Sequence, residues 1–225
     1  EMGLLSKGFY YSLLCKMELF CYRKSHLILG QSNEILTHID KKEVSSALLL
    51  YRNFPDFKPQ QPIDKPIDED IKIVYAGLTG VAQGLYKVCS SINLPKHISI
   101  HIYGTGSDTD QLKSLTKENV FYHGEIKREE LHKKIQEYHI GFVPLTNRIY
   151  GSVPSKIFEY IALRKPIVAG LSGYSAKFLK DHAPYAFLFD PGNSKAAVSV
   201  IVEAVGSKIS EKSVDKFVTK YSRSS

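Results

Sequence analysis

Three side chains that could bind an anionic ligand lie within one short stretch of the sequence, at Ser155, Lys156 and Glu159. They follow Pro154, a residue that suits the first position of an α-helix. At a helix start, free backbone N–H groups, the hydroxyl and the ammonium can converge on one anion-sized space. Glu159 falls one turn after Ser155 on the same helical face, where its carboxylate could accept hydrogen bonds from two vicinal hydroxyls of a ribose. The pattern fits a nucleotide, but for this helix taken alone an exposed lysine–glutamate pair is the favoured interpretation.

Two glycine-rich stretches, residues 77–85 and 103–109, each follow a predicted strand and open a predicted helix. Glycine lets a backbone approach a ligand closely, and a helix N-terminus offers N–H groups to phosphate. The first stretch contains Gly80, Gln83 and Gly84 as candidate contacts. Neither spacing is that of the P-loop or of the complete dinucleotide fingerprint, which disfavours a standard NAD site. A tight turn without a ligand is the alternative for the first stretch.

Strands and helices alternate regularly after residue 70, and these elements must position the residues above. Mostly apolar strands separated by helical segments are typical of a parallel sheet that is covered on both faces. The predicted fold class is therefore α/β, a doubly wound, Rossmann-like parallel sheet with a partial second α/β domain. Ligands of such a sheet bind beyond the carboxyl ends of its strands. The predicted strands are 71–76, 98–103, 120–122, 139–143, 167–169 and 187–189. The predicted helices are 81–92, 128–137, 154–163, 176–180 and 196–205, with one more that Ser107 or Asp108 would cap. Ser152 or Val153 is the predicted cap of the helix at 154–163.

Prolines mark a domain boundary before this sheet. Four of the ten prolines fall within residues 55–70, in a stretch otherwise rich in Asp, Lys and Gln, which predicts a linker. Residues 1–54 predict a helix, a strand and a second helix with Ser32 as its N-cap, but so few elements cannot close a sheet alone. We expect the larger domain to span residues 71–206. Residues 207–225 predict a C-terminal helix that belongs with the partial domain or crosses back to it.

The composition excludes several classes of protein. The chain has 225 residues, of which 43% are hydrophobic and 24% are charged, and these globular values exclude a disordered or collagen-like chain. The sequence contains no apolar run of the length that a spanning helix needs. Cys15, Cys21 and Cys89 lack metal-binding spacing, and we expect them to be reduced, cytosolic and buried. The net charge of +7 favours an anionic partner such as a nucleotide or a phospholipid surface, with plain solubility as the alternative.

Two acidic motifs and one aromatic helix have competing interpretations. Residues 108–110 and 68–70 both read Asp-x-Asp, a pattern that can hold a divalent cation. Helix capping and a linker position explain them better, and we expect no metal site.

The aromatic and basic residues 10–24 could lie on a membrane surface, but we favour the core of the partial domain. His123 could contact a ligand, and a hydrogen-bonded structural histidine is the preferred interpretation.

An ordered set of motifs gives the sequence a resemblance to one enzyme family. The run Val153-Pro154-Ser155-Lys156-Ile157-Phe158-Glu159-Tyr160, followed by Lys165-Pro166-Ile167-Val168-Ala169, is similar to the signature of GT-B-fold glycosyltransferases of family GT4. It most resembles the branch that assembles polysaccharides from nucleotide-activated hexoses or N-acetylhexosamines. Further matching stretches follow the family's order at 75–77, 82–85, 104–106, 123–125 and 141–144, and residues 18–32 and 51–53 resemble the end of the acceptor domain and its hinge.

This resemblance implies a retaining hexosyltransferase that moves a hexose or N-acetylhexosamine from a nucleoside diphosphate sugar to a glycan or lipid-linked acceptor. A UDP-sugar is the expected donor. The chain would supply the donor-binding half, the C-terminal half of the GT-B fold, with a remnant of the acceptor domain in residues 1–54. It would be inactive alone, because the catalytic residue of the acceptor side is expected before residue 1. The resemblance implies no cofactor, no nucleic-acid partner and a cytoplasmic protein that could contact the inner face of the membrane.

The resemblance also implies roles for individual residues. Glu159 resembles the second glutamate of an E-x7-E motif, which binds the ribose hydroxyls. Gly151 stands where the first glutamate of that motif is expected, and Gln83 stands where a lysine often precedes the glycine. The implied substrate contacts are Gly80, Gln83, Gly84, Ser155 and Lys156 at the diphosphate, Gly124, Glu125, Ile126 and Pro144 around the nucleobase, and Tyr150, Gly151, Ser152, Val153 and Pro154 at the sugar and its phosphate.

Two other functions fit parts of the sequence. A nucleotide-sugar epimerase shares the architecture, but it needs acid and base residues, and we find no suitable acidic pair. A non-enzymatic basic module for nucleic acid or membrane would bind through salt-sensitive charge and would be indifferent to Glu159.

Overall fold

The computed structural model describes residues 6–52, 70–183, 185–207 and 209–221. Contacts divide the chain into two compact units, one made of Glu1–Asn53 with Ile149–Val153 and the other of Phe54–Arg148 with Pro154–Ser225. Each unit contains one parallel β-sheet. The predicted linker lies outside the described residues except for Asp70.

The smaller unit has a two-stranded sheet. Its elements are α1 (Phe9–Lys24), β1 (Leu27–Gly30), α2 (Asn33–Asp40) and β2 (Ala47–Leu50), and the two strands pair in parallel. Ser32 caps α2 as predicted, because its hydroxyl accepts a hydrogen bond from the Ile35 N–H at 3.2 Å. The sequence does not predict β2, since a short apolar run fits a strand or a buried helix equally well.

The apolar residues of α1 form no core within the described chain. None of its 16 residues is buried, and Tyr10, Met17 and Phe20 keep 74%, 55% and 61% of their surface exposed. The prediction that they belong to a core is therefore wrong for the described residues, because two strands and one helix offer too little apolar surface to cover them. The prediction of buried cysteines holds for Cys89 alone, since Cys21 is exposed and Cys15 is half-buried.

The larger unit is built on a six-stranded sheet with the order β5-β4-β3-β6-β7-β8. Its strands are β3 (Ile71–Ala76), β4 (Ile98–Tyr103), β5 (Val120–Gly124), β6 (Ile140–Val143), β7 (Ile167–Gly170) and β8 (Ala186–Phe189), and all neighbours pair in parallel. The helices are α3 (Leu85–Ser91), α4 (Thr109–Lys113), α5 (Arg128–Gln136), α6 (Ser155–Ala162), α7 (Gly173–His182), α8 (Ser194–Ala204) and α9 (Glu211–Tyr221). The strand order reverses between β3 and β6, which is the point where doubly wound sheets bind ligands. The predicted fold class is confirmed.

Both faces of this sheet are covered, and the strand sequences show why. Ile73, Val74 and Tyr75 are consecutive in β3, so their side chains alternate between the two faces, yet none of the three has any exposed surface. Phe142 in β6 and Val168 in β7 are likewise fully buried. Strands of this kind need helices on both sides, which the alternating chain supplies.

The C-terminal helix packs within the larger unit. The ring of Phe158 in α6 contacts Phe217 and Tyr221 of α9, with centroids 5.8 and 6.4 Å apart. Arg164 forms an ion pair with Asp215 of α9 at 3.0 Å. These contacts cover the outer face of α6, and the predicted crossing of α9 to the acceptor domain stays a prediction.

Two helices of the larger unit begin later than the sequence predicts. Helix α3 begins at Leu85 rather than Val81, because Gly84 adopts a left-handed conformation with φ of 52° that a continuous helix cannot contain. Helix α6 begins at Ser155, so Pro154 is its N-cap rather than its first helical residue. The N-cap of α6 has no side-chain hydrogen bond, and the predicted capping by Ser152 or Val153 is therefore wrong.

Candidate functional site

The loops after β3 and β4 pack backbone against backbone. The Thr79 N–H donates to the Thr105 carbonyl at 3.0 Å, and the Asp108 N–H donates to the Thr79 carbonyl at 2.9 Å. A side chain at Gly104 would collide with the backbone of Gly77, and both glycines have positive φ, 127° and 138°. Glycine is required for this approach, and the result is a wall of bare backbone at the carboxyl edge of the sheet.

A buried tyrosine hydroxyl ties α6 to the end of β3. The Tyr160 hydroxyl donates to the Val74 carbonyl at 3.3 Å and accepts a hydrogen bond from the Ala76 N–H at 3.0 Å. Its ring lies over Gly141, where an added Cβ would come within 2.5 Å of the ring. Helix α6 is thereby fixed beside the switch point of the sheet.

Lys156 extends from the first turn of α6 to the loop after β3. A side chain at Gly77 would collide with its ammonium, and its Nζ lies 5.1 Å from the centroid of the Tyr75 ring. Burial lowers the pKa of Lys156, and the charge of Glu159 partly opposes that shift. Within the described chain Lys156 forms no ion pair, and Ser155 beside it is exposed. An anion bound here would offset the cost of burying this ammonium.

Glu159 is held by a histidine from a neighbouring helix. Its Oε1 lies 2.7 Å from Nε2 of His132 in α5, and the two side chains are only 16% and 20% exposed. Among the described residues, Lys156 and Glu159 do not pair, and both are half-buried. The alternative of an exposed lysine–glutamate helix pair is therefore wrong, and Glu159 is a carboxylate of fixed orientation one turn from Lys156.

A cleft of about 240 Å³ opens at the carboxyl ends of β3, β4 and β5. The Tyr75 hydroxyl donates to the Leu78 carbonyl and so supports one wall. Glycine backbone on one side and aliphatic side chains on the other suit a flat aromatic ligand. The lining residues are Gly77, Leu78, Tyr103, Gly104, Thr105, Glu125, Ile126 and Leu131, which include two of the predicted nucleobase contacts.

A larger cavity, about 640 Å³, lies between α7 and α8 beyond the ends of β7 and β8. Its described lining contains none of the predicted site residues, and its charged groups include the ion pair of Lys177 with Asp181 at 3.1 Å. The smaller cleft is the better candidate, because it adjoins the glycine loops and the half-buried charges that a polar ligand needs.

The remaining predicted contacts of the larger unit shape its loops. The Gly80 N–H donates to Oε1 of Gln83 at 3.2 Å, so the amide of Gln83 folds into its own turn. A side chain at Gly84 would collide with the loop after β6. Pro144 is buried directly after β6, and Gly124 ends β5 with φ of 77°.

The predicted sugar contacts Tyr150, Gly151, Ser152 and Val153 belong to the smaller unit, while Pro154 belongs to the larger one. The Gly151 N–H donates to Oε2 of Glu34 at 2.8 Å, and the Tyr150 hydroxyl donates to the Glu34 carbonyl at 3.3 Å. Gly151 has φ of 63°, and a side chain there would collide with Ile35. The position where the resemblance expects a first glutamate therefore has no room for one.

Histidines in β4 and β5 form a hydrogen-bonded stack. Nδ1 of His101 lies 2.9 Å from Nε2 of His123, with the rings 3° from parallel. Tyr103 stacks on His123 with centroids 4.6 Å apart, and its hydroxyl lies 2.7 Å from that of Tyr138. Burial and nearby cationic groups lower the pKa of His101 to about 4, and burial also lowers the pKa of His123. His123 is thus a hydrogen-bonded member of this stack.

Within the described ranges, no group of three or more His, Cys, Asp or Glu side chains could hold a metal ion. Asp108 stands at the N-cap position of α4, but its side chain makes no capping hydrogen bond and instead accepts one from the Tyr86 N–H at 3.4 Å. Residues 68 and 69 of the other acidic motif lie outside the described residues. The described helices are all too short or too polar to cross a bilayer.

Comparison with known families decides the class of this protein. A family model described as "Glycosyl transferases group 1" matches residues 72–207, which span the six-stranded sheet, the cleft and helix α6. The chain belongs to the group 1 glycosyltransferases. No curated protein matches its sequence.

Several solved structures resemble this glycosyltransferase. Anabaena Alr3699/HepE in complex with UDP and glucose is similar with a TM-score of 0.73 and 15% identity, over 95% of this chain and 64% of that chain. TarM has a TM-score of 0.71 and 16% identity, over 98% of this chain and 45% of that chain. A mutant of S. aureus TarM in a complex that includes UDP is also similar. The lipopolysaccharide outer core galactosyltransferase WaaB has a TM-score of 0.62 and 16% identity, over 88% of this chain and 58% of that chain. At these identities the likeness shows the fold alone, the Rossmann-like GT-B fold, and this chain spans less than two thirds of each of these structures.

Two residues of the glycosyltransferase site are missing from the sequence-based prediction. Leu131 lines the cleft and His132 binds Glu159, and both come from α5. The pattern of α5 indicates a solvated helix of balanced charge, and it gives no signal for either role. Only the packing of α5 against α6 brings His132 to a carboxylate 27 residues away.

Proposed function

We propose that this glycosyltransferase transfers a hexose or N-acetylhexosamine from a nucleoside diphosphate sugar, a UDP-sugar, to a glycan or lipid-linked acceptor in polysaccharide biosynthesis. The larger unit binds the donor. The observation that carries the proposal is Lys156, a half-buried ammonium at the start of α6 that lies beside Gly77 and forms no ion pair within the described chain.

The donor diphosphate is assigned to the start of α6. Ser155 and Lys156 supply a hydroxyl and an ammonium beside the backbone N–H groups of the first helical turn, where the helix dipole is positive. The glycine loop with Gly80, Gln83 and Gly84 forms the other side of this subsite. The bare backbone of that loop allows the phosphates to approach closely.

The nucleoside is assigned to the carboxyl ends of β3, β4 and β5. Glu159 accepts hydrogen bonds from the ribose hydroxyls, and the base enters the cleft beside Glu125 and Ile126, with Gly124 and Pro144 on the same side. Uracil is the proposed base, since the HepE and mutant TarM structures are complexes with UDP. Residues 150–154 are the proposed contacts of the sugar.

The transfer step breaks the bond between the anomeric carbon and the diphosphate oxygen, and the diphosphate leaves with the electron pair. An acceptor hydroxyl forms the new bond to that carbon, and its proton passes to a base of the acceptor half. Lys156 and the N–H groups of α6 stabilise the charge that develops on the leaving diphosphate. Such fixed groups need no rearrangement as the charge forms. For the sugar to keep its configuration, the acceptor hydroxyl forms its bond on the face from which the diphosphate leaves.

The acceptor half of the enzyme is assigned to the smaller unit. The donor half alone is therefore expected to bind UDP and to transfer little or no sugar. The proposed setting is the cytoplasmic side of the membrane, where lipid-linked acceptors are available. The exposed aromatic and basic residues of α1 support a peripheral contact there.

Calorimetric titration of this chain with UDP, GDP and UDP-N-acetylglucosamine tests the donor assignment. We expect UDP and the UDP-sugar to bind at micromolar to millimolar concentration, and Glu159→Ala to weaken both. If no nucleotide binds at millimolar concentration, the assignment of the donor site is wrong. If Glu159→Ala binds UDP as tightly as the wild type does, the ribose assignment is wrong, while the assignment of the fold is unaffected.

A further inference from the structure

We propose that His132 is a positioning residue that orients the Glu159 carboxylate toward the two hydroxyls of the donor ribose. This inference rests on the proposed function, because it presumes that Glu159 binds the ribose. It adds a residue that no sequence pattern and no assigned contact includes.

The geometry of the pair is that of a strong hydrogen bond. Nε2 of His132 and Oε1 of Glu159 are 2.7 Å apart, within the range for a donor facing an ionised acceptor. Because an ionised carboxylate can only accept, Nε2 must carry the hydrogen. Both side chains are more than three-quarters covered, so water competes weakly for this contact.

The bond leaves the carboxylate with capacity for a ligand. A carboxylate has two oxygens with about four acceptor positions, and His132 occupies one of them on Oε1. Oε2 and the remaining position on Oε1 can accept from two vicinal hydroxyls. A glutamate side chain otherwise loses considerable rotamer freedom on binding, and a side chain that is already held loses less.

Two anchors therefore fix Glu159. Tyr160, the next residue, bonds the backbone of β3 at Val74 and Ala76 and fixes the helix. His132 then fixes the side chain within the position that the helix gives it. Binding a ribose diol requires both a fixed helix and a fixed side chain, because the two hydroxyls lie at a fixed spacing.

Helix α5 also connects this carboxylate to the cleft. Leu131 lines the cleft assigned to the base, and His132 is its neighbour in the chain. One turn of α5 thus supplies a wall for the base and a partner for the group that binds the sugar of the nucleoside. Lys156 also interacts with Glu159 through charge, although the two form no ion pair among the described residues.

A purely structural pair and a positioning pair differ in one measurable property. Loss of a structural bond lowers stability and weakens every ligand alike. Loss of a positioning bond weakens UDP but leaves 2′,3′-dideoxy-UDP unaffected, since that analogue lacks the hydroxyls that Glu159 binds. The ratio of the two dissociation constants therefore isolates the role of His132.

The experiment titrates UDP and 2′,3′-dideoxy-UDP into the wild type, His132→Phe, His132→Gln and Glu159→Ala. Phenylalanine keeps most of the volume of the imidazole and removes the donor, while glutamine keeps an N–H donor at similar reach. We expect the preference for UDP to fall about tenfold in His132→Phe, as for the loss of a hydrogen bond to a charged group, and to be largely kept in His132→Gln. His132→Asn, whose amide is shorter, replaces His132→Phe if that variant does not fold.

The possible failures are distinguishable. If Glu159→Ala removes the preference for UDP while His132→Phe keeps it, the positioning role is wrong and the proposed function stands. If His132→Gln loses the preference as fully as His132→Phe, the retained donor does not matter and the inference is also wrong. If Glu159→Ala keeps the preference, the ribose assignment fails and the role of His132 fails with it.

Discussion

Helices α1 and α6 both carry apolar and basic residues at helical spacing, yet they end in opposite environments. Five of the eight residues of α6 are buried, whereas none of the 16 residues of α1 is. Helix α6 lies between a six-stranded sheet and α9, while the described unit of α1 has two strands and one further helix. The elements that surround a helix, more than its own sequence pattern, therefore decide which of its residues are buried and which of its charged groups are shielded from solvent.

The same contrast applies to the lysines of the two helices. Lys16 of α1 is exposed, so solvent screens its charge. Lys156 of α6 is half-buried beside Gly77 and Tyr75, and its charge acts over a short distance with little screening. A lysine count cannot distinguish these two, although Lys156 alone of the pair is the lysine that we propose to bind the diphosphate.

The largest effect that should separate the two helices is on stability. Ile161 of α6 is fully buried, and we expect Ile161→Ala to cost about 2–5 kcal/mol through lost burial and a cavity. Leu14 of α1 is 48% exposed, and Leu14→Ala should cost about 0.5 kcal/mol or less. Chemical denaturation of both variants measures the difference. Similar losses in the two would mean that α1 has a core of its own.

A second contrast concerns the glycines beside the two lysine-bearing helices. Gly77→Ala forces a Cβ against the ammonium of Lys156 at a φ of 138°, so we expect UDP to bind about tenfold more weakly. An added Cβ at Gly8, before α1, would make only an ordinary contact with the Ser6 carbonyl oxygen at 3.9 Å, and Gly8→Ala should bind UDP as the wild type does. Titration calorimetry compares the two. Equal affinities would show that Lys156 can act from another position.

A smaller effect follows from the lowered pKa of Lys156. As the pH rises through that lowered pKa, Lys156 loses its charge before an exposed lysine does, with its ordinary pKa of 10.5. UDP affinity should therefore decline at an alkaline pH where exposed lysines are still charged. In Lys156→Arg the guanidinium stays charged, so the decline should disappear. A decline of the same size in both proteins would assign the effect to another group.

The smallest predicted effect is on acid stability. The pKa of His101 falls from an ordinary 6.5 to about 4 in the fold, so between these values the unfolded chain binds a proton that the folded chain does not. The free energy of unfolding should fall as the pH is lowered through that window. His101→Gln should lessen this fall, and the exposed His26 provides the matched control, His26→Gln. Denaturation of all three proteins across the window checks this, and an identical slope in each would contradict it.

Much of the larger unit could be predicted from its sequence because its signals are local. Strands β3 and β4 match their predicted bounds, since each is a run of apolar residues between clear turns. The start of α3 was not predictable, because nothing in the spacing shows that Gly84 takes a left-handed conformation. Likewise, the run that forms β2 has no period that distinguishes a strand from a helix.

The candidate site shows the same division. Ser155, Lys156 and Glu159 share one helix, so their relation follows from 3.6 residues per turn. The contact of Glu159 with His132, the approach of Lys156 to Gly77 and the bond of Glu34 to Gly151 join residues that are distant in the chain. Such contacts depend on how elements pack, which spacing within an element does not encode.

We propose that the start of α6 and Lys156 bind the donor diphosphate. The most direct test measures the affinities of uridine, UMP and UDP for the wild type and for Lys156→Met by calorimetry. We predict that each phosphate strengthens binding to the wild type, and that Lys156→Met loses most of this gain, about tenfold to a hundredfold, while its affinity for uridine is unchanged. If Lys156→Met gains as much from the two phosphates as the wild type does, the diphosphate is bound elsewhere and Lys156 does not recognise it.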